Sequence, residues 1–298
     1  VTASRRFVVA VVLDALVVAA EGAGGVLARS SALLADGAHN LVDVASLLLA
    51  LGASRLVRRA PTAERSYGLH RATIITALLN AGLTAALTAL VVLDAVARLL
   101  HPVPVRAVVM LPVALGALAA NLAAAAVVHE PGGRDLNRRS ARLHLLGDAA
   151  GAGAVAVAAT AILLTGRGEV LDPLATLVIA ALIGRQAWRL GREAVEVLLE
   201  ATPADIDLPA LRAAIMGVPG VTEVHDLHCW SLSGDVRALS AHLLVAGHPT
   251  LEQAKSVGER VKAAVADAFA IAHATLELEC ERCSPDDDPA CSIDTAGD

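Results

Sequence analysis

Two runs of the chain place an imidazole and a carboxylate four residues apart: His39-Asn40-Leu41-Val42-Asp43 and His144-Leu145-Leu146-Gly147-Asp148. On an α-helix that spacing stacks the two side chains on one face. Asp36, three residues before His39, falls on nearly the same face. Two such helices facing each other offer two imidazole nitrogens and two carboxylate oxygens. That is a tetrahedral donor set of the kind Zn²⁺ takes at about 2.0–2.2 Å. The same donors bind Co²⁺, Mn²⁺, Ni²⁺ or Fe²⁺, so ligand type alone leaves the metal open. The plainer reading is a pair of helix-stabilising His–Asp contacts that bridge neighbouring helices.

The surroundings of the pairs weigh against that plainer reading. The 298 residues are 56% apolar, 2% aromatic and 18% charged, against about a quarter charged in an ordinary soluble domain. Six apolar runs fill the first two thirds: 7–27, 31–51, 72–97, 107–128, 143–164 and 170–188. Each has about the 20 residues an α-helix needs to cross the hydrocarbon of a bilayer. Helices are the expected form there, because the backbone must satisfy its own hydrogen bonds. Both His/Asp pairs therefore fall at membrane depth, where a charge costs at least about 2.5–3.5 kcal/mol and marks function by default. The first run follows Arg5 and Arg6. It reads as a span rather than a signal peptide, because it is long, carries Asp14 and Glu21, and leads straight into the second run.

Charge divides the chain into two materials. Residues 1–203 hold 18 Arg and no Lys against 14 acidic residues, a net of +4, whereas residues 204–298 carry a net of −10. A single soluble globule, a disordered chain and a nucleic-acid binder with a basic face are all excluded. Fourteen of the 18 arginines fall at the N-terminus, in the 2–3 and 4–5 connections and at the end of the sixth run. Only Arg29, Arg98, Arg106 and Arg167 fall on the other side. By the positive-inside rule both termini face the cytosol. Arginine used almost to the exclusion of lysine, with heavy Ala and Val, fits a GC-rich bacterial gene and hence a bacterial inner membrane.

Beyond Pro203 the pattern changes. Leu208–Met216 and Leu251–Phe269 read as helices, and 221–232, 236–245 and 274–279 as strands. The expected division is a six-span membrane domain over 1–203, an α+β cytosolic domain over 204–279 and an acidic, Cys-containing tail over 280–298. His225 and His228 are three apart, so a regular strand would point them to opposite faces. Cys280 and Cys283 form a Cys-x-x-Cys pair, with Cys291 beyond it. Cytosolic thiols stay reduced, and one such pair needs two further ligands to hold zinc. Cys229 reads as a small core residue.

Gly24-Gly25, then Ser31-Ala32-Leu33-Leu34-Ala35-Asp36 with His39 and Asp43, resemble the second span of the cation diffusion facilitator family. Tyr67-Gly68 with His70-Arg71-Ala72, and Asp135-Leu136-Asn137 with His144 and Asp148, resemble its third and fifth spans. Asp172-Pro173-Leu174, Val224-His225-Asp226-Leu227-His228 and Ser240-Ala241-His242-Leu243 resemble its sixth span and tail domain. The resemblance covers nearly the whole chain in order. It implies a homodimeric antiporter that exports divalent cations, most simply Zn²⁺, from the cytosol in exchange for protons. It implies that His39, Asp43, His144 and Asp148 form the transport site and that the tail domain is ferredoxin-like. It also implies a cytosolic metal site that would select His225 and His242, with a further ligand from Glu279 on the last strand or from Cys280 and Cys283. Thr73 departs from the glutamate common in the family after Arg-Ala, and the 2–3 connection lacks a long His-rich insertion.

Metal binding needs deprotonated donors, and the reference pKa of histidine of about 6.5 suits it to proton exchange near neutral pH. An intramembrane metalloprotease is the rival from the enzyme class. The chain has no His-Glu-x-x-His run, and four protein ligands leave no open position for water, so the reading is not an enzyme. Two other readings stay open: an antiporter of the same fold for Mn²⁺, Co²⁺, Fe²⁺ or Cd²⁺, and a membrane metal sensor without transport.

Overall fold

The computed structural model describes residues 3–128, 136–234 and 236–281, with the backbone alone for 3–11 and 136–141. In chain order the long helices are α1 (Ala3–Ala28), α2 (Ser31–Val57), α3 (Ala72–Leu100), α4 (Ala107–Val128), α5 (Leu136–Thr165) and α6 (Gly168–Leu198). Among the described residues, five segments are long and apolar enough to cross a membrane: Ser31–Val57, Ala72–Leu100, Ala107–Val128, Arg142–Thr165 and Gly168–Leu198. The rest of the fold is α7 (Leu208–Met216), β1 (Val221–Ser233), β2 (Val236–Val245), α8 (Leu251–Phe269) and β3 (Ile271–Glu279). The chain forms two compact units, residues 1–52 with 76–191 and residues 53–75 with 192–298.

The first unit is helical and packs through small side chains. α4 lies along α5 and α1. Ala28, Ala32, Ala107, Ala114, Ala156 and Ala159 are buried together around Leu33, Met110 and Val155. Where the lipid is as apolar as the side chains, close backbone approach supplies the packing that water would otherwise drive. Two glycines are required for it. A Cβ on Gly37 of α2 would stand 2.9 Å from Glu21 Cβ on α1, and a Cβ on Gly151 of α5 would stand 2.8 Å from Asp36 Oδ1. These absent side chains let α1, α2 and α5 bring their polar residues together.

The second unit holds a three-stranded sheet in the order β1-β2-β3. β1 and β2 are antiparallel, and β2 and β3 are parallel. The parallel pair needs a crossover, which α8 supplies. α8 starts at a capping box: Thr250 Oγ1 accepts from Gln253 N at 3.3 Å, and Gln253 Oε1 accepts from Thr250 N at 2.9 Å. α7 packs on β1 and α8 on β3. Leu211, Ile215, Leu239, Leu243, Val261 and Val265 fill the core between helices and sheet. β3 begins at Ile271 rather than at the expected residue 274. Exposed Ala272 and His273 interrupt the alternation there. The 53–75 segment belongs to this unit: Arg71 pairs with Glu200 at 2.5 Å, and the Tyr67 ring meets His273 edge-on at 5.7 Å.

Candidate metal centres

α2 carries His39 and Asp43 on one face, with His39 Nε2 3.5 Å from Asp43 Oδ2. α5 carries His144 and Asp148 in the same way, with His144 Nε2 3.6 Å from Asp148 Oδ2. The faces meet, since His144 Nε2 also lies 3.6 Å from Asp43 Oδ2. His39, Asp43 and Asp148 each offer one donor atom within 4.8 Å of the other two; His144 falls outside that group of three but lies 3.6 Å from a carboxylate oxygen of both Asp43 and Asp148. These separations are long for N–H···O hydrogen bonds. They match the edges of a tetrahedron whose centre lies about 2.0–2.2 Å from each donor, which are roughly 3.3–3.6 Å. His39 Nδ1 and Asp43 Oδ2 are buried without a hydrogen-bond partner. Asp36, His39, His144 and Asp148 line a cavity of about 670 Å³ that Val178, Ile179 and Leu182 of α6 also border.

Other polar side chains surround this centre. Asp14 on α1 adds an acidic neighbour to His144 and Asp43. Ser46 of α2 donates its hydroxyl to Asn80 Oδ1 on α3. Asp172 of α6 is fully buried and reaches the N-terminus of α2. Its Oδ1 accepts from Ser30 Oγ at 2.5 Å, and its Oδ2 accepts from Ser31 N at 2.7 Å and Ser31 Oγ at 2.9 Å. Ser30 Oγ in turn accepts from Leu33 N at 3.1 Å, capping the helix. A buried carboxylate on the N–H groups of a helix start is favourable both as hydrogen bonding and against the helix dipole. Asp172 thereby fixes the helix that carries His39 and Asp43. In the sequence Asp172 stands out only through the Asp172-Pro173-Leu174 motif, which names no partner for it. Its partners lie more than 140 residues earlier, and nothing local announces them.

The second cluster lies in the sheet. The pairing places His225 opposite His242, and His242 opposite Glu277. His225 Nε2 is 3.3 Å from Glu279 Oε2, and His242 Nδ1 is 2.8 Å from Glu279 Oε1. The three donors lie within 4.8 Å of one another. Both ring nitrogens of His225 and Glu279 Oε2 are buried without hydrogen-bond partners. Asp226 Oδ2 and Glu277 Oε2 approach His242 Nε2 at 3.4 and 3.5 Å. Cys280 is exposed and outside this cluster, and Cys283 lies outside the described residues.

The expectation that His225 and His228 face opposite ways is overturned. β1 pairs His225 with His242 and His228 with Ser240, so three residues on β1 oppose two on β2. This bulge, with Asp226 at φ +48°, brings both histidines to one face. Asp226 bridges them to the cluster, 2.7 Å from His228 Nε2. Cys229 is buried as expected, and burial pushes its thiol above the ordinary range.

Comparison with known proteins agrees with this layout. Residues 7–199 match the cation efflux transmembrane domain, and residues 203–281 match the cation efflux protein cytoplasmic domain. The chain is 34% identical over 295 residues to the zinc transporter ZitB of Pectobacterium atrosepticum, covering 97% of this chain and 89% of that protein. It is 30% identical to a cadmium, cobalt and zinc/H(+)-K(+) antiporter of Bacillus subtilis, over 88% of this chain and 84% of that one. It is 32% identical to the metal cation efflux system protein CzcD of Cupriavidus metallidurans, over 95% and 89%. With both domains matched in order and relatives aligned along nearly its whole length, the chain is a zinc-transporter-like member of the cation efflux, or cation diffusion facilitator, family.

Proposed function

We propose that the protein exports divalent metal cations, Zn²⁺ foremost, from the cytosol in exchange for protons, through His39, Asp43, His144 and Asp148. The observation that carries this reading is the meeting of two His-x-x-x-Asp faces at N···O separations of 3.5–3.6 Å. Two carboxylates balance the charge of one divalent ion, so the loaded centre is neutral where charge is costly. In a cytosol-open state the imidazoles are neutral and the carboxylates ionised, and the ion binds. In the outward-open state protons compete for the same donors and release it. A proton gradient then drives alternating access.

The reading includes six spans with α1 as the first, both termini in the cytosol, a homodimer and a bacterial inner membrane. The ferredoxin-like cytosolic domain holds a second, regulatory metal at His225, His242 and Glu279. A broader substrate range is the second reading, favoured by the cadmium and cobalt in the name of the Bacillus subtilis relative. The test is transport by the purified protein in proteoliposomes across Zn²⁺, Cd²⁺, Co²⁺, Mn²⁺ and Fe²⁺, with and without a pH gradient. The reading expects gradient-dependent Zn²⁺ movement. Binding of Zn²⁺ with no transport under any gradient would make the protein a sensor.

A further inference from the structure

A second pair of carboxyls in the membrane unit has no part in the ligand set. Glu21 on α1 and Asp36 on α2 are both buried, Glu21 completely. Asn40 donates Nδ2 to Glu21 Oε2 at 2.7 Å. Glu21 Oε1 and Asp36 Oδ2 receive no N–H or O–H from the described residues. The two helices approach closely at this point: a Cβ on Gly37, the residue after Asp36, would stand 2.9 Å from Glu21 Cβ. Ionised carboxylates are acceptors only, so a hydrogen bond between these two orphaned oxygens forms only when one of the carboxyls holds a proton. The charged groups facing Glu21 are Asp36 from α2 and Asp148 from α5, both acidic. α4 contains no charged residue, and its buried polar side chain is Asn121. On the α5 side, the bare Gly151 lets Asp36 Oδ1 lie against that helix. Among the described residues neither carboxyl is paired with an Arg or Lys, and the imidazoles that share the cavity with Asp36 are His39 and His144; two adjacent buried carboxyls without a cation beside them do not both ionise. Asp36 also lines the cavity that His39, His144 and Asp148 border, so the pair has a route to it.

We propose that Glu21 and Asp36 share one proton and form a proton-binding site distinct from the metal ligands, which releases that proton into the cavity when a divalent cation occupies the transport site. The proposal rests on the transport-site reading above. A dication beside Asp148 puts positive charge near Glu21 and makes the second negative charge of the pair tolerable. The carboxyl O–H bond breaks, the proton passes to cavity water, and both oxygens are left anionic. Departure of the metal reverses the step. Proton exchange then exceeds what the four ligands alone supply, and the excess is coupled to metal without touching it.

The test counts protons released per Zn²⁺ bound by the detergent-purified full-length protein in weak buffer with a pH dye. Glu21→Gln and Asp36→Asn each replace one carboxyl by an amide and leave the other as a lone carboxylate, with no shared proton to release. Each is expected to release about one proton fewer per ion bound than wild type. Equal release by wild type and both variants, with Zn²⁺ bound in all three, overturns the proposal. Should either variant fail to fold, infrared difference spectra of wild type supply the answer. Zn²⁺ should bleach a protonated-carboxyl C=O band, and its persistence overturns the proposal. A wild type that binds no Zn²⁺ overturns the transport-site reading itself, a distinguishable result. Proton release that appears only when K⁺ is present makes the pair a monovalent-cation site and also overturns the proposal.

Discussion

Asp172→Asn isolates the anchor that holds the helix carrying His39 and Asp43. The substitution keeps the volume of the side chain and removes its charge and one acceptor. With the new amide nitrogen toward Ser31, the 2.7 Å bond from Ser31 N becomes a donor–donor contact, while the Ser31 hydroxyl can turn to accept. A charge-assisted hydrogen bond of about 1.5–3 kcal/mol is lost, and a buried N–H is left unpaired. The opposite amide orientation spares Ser31 N and strains Ser30, whose hydroxyl already caps Leu33. The favourable helix-terminus charge goes in either case, about 0.3–1 kcal/mol. A net loss of about 3 kcal/mol lowers Tm by roughly 6–12 °C for a unit of this size. His39 is two helical turns from Ser31, about 12 Å along the axis, so loosening the anchor also moves the ligands. Zn²⁺ uptake by proteoliposomes should fall at least about tenfold, given what small misplacements of a preorganised site cost. A Tm within about 2 °C of wild type, measured by calorimetry on purified protein, with Zn²⁺ affinity unchanged, would refute the anchoring argument.

Three further outcomes follow from the same geometry. His39→Asp exchanges a nitrogen donor for an oxygen donor, so the ratio of Zn²⁺ to Cd²⁺ transport should fall; an unchanged ratio counts against the ligand-set reading. Gly151→Ala places a Cβ 2.8 Å from Asp36 Oδ1 and should cost about 1–3 kcal/mol, read as lowered thermal stability; wild-type stability would mean that α2 and α5 are not so closely packed. Cys229, buried with its thiol pushed up, should alkylate far more slowly than exposed Cys280 in a mass-spectrometric time course near neutral pH. Because the fold holds that proton more tightly than the unfolded chain does, its stabilising contribution is fully present below the ordinary thiol range and is lost as pH rises from that range through the raised value of the folded state.

The parts of the fold that local period governs could be read from the chain. Length and apolarity give the long helices, and the four-residue spacing stacks His39 on Asp43 and His144 on Asp148. Apolar alternation gives the order of α7, β1, β2, α8 and β3, with the start of β3 displaced by exposed Ala272 and His273. What depends on a single irregular residue could not be read. The bulge at Asp226 needs a backbone conformation that an aspartate tolerates without announcing it, and it reverses the face expected for His228. Contacts between distant segments were equally silent. Neither the reach of Asp172 to Ser30 and Ser31 nor the meeting of Glu21 with Asp36 follows from any spacing. In both cases the hint was a charge set in an apolar run, which marks a function and leaves its partner unnamed.

The most direct test of the account is Zn²⁺ movement into proteoliposomes of purified protein under an imposed pH gradient, with His144→Ala beside wild type. His144 is the nitrogen donor that α5 sets 3.6 Å from both carboxylates. The account predicts gradient-dependent Zn²⁺ transport by wild type and its loss in the variant, with the variant still folded. Transport by His144→Ala at the wild-type rate would contradict it.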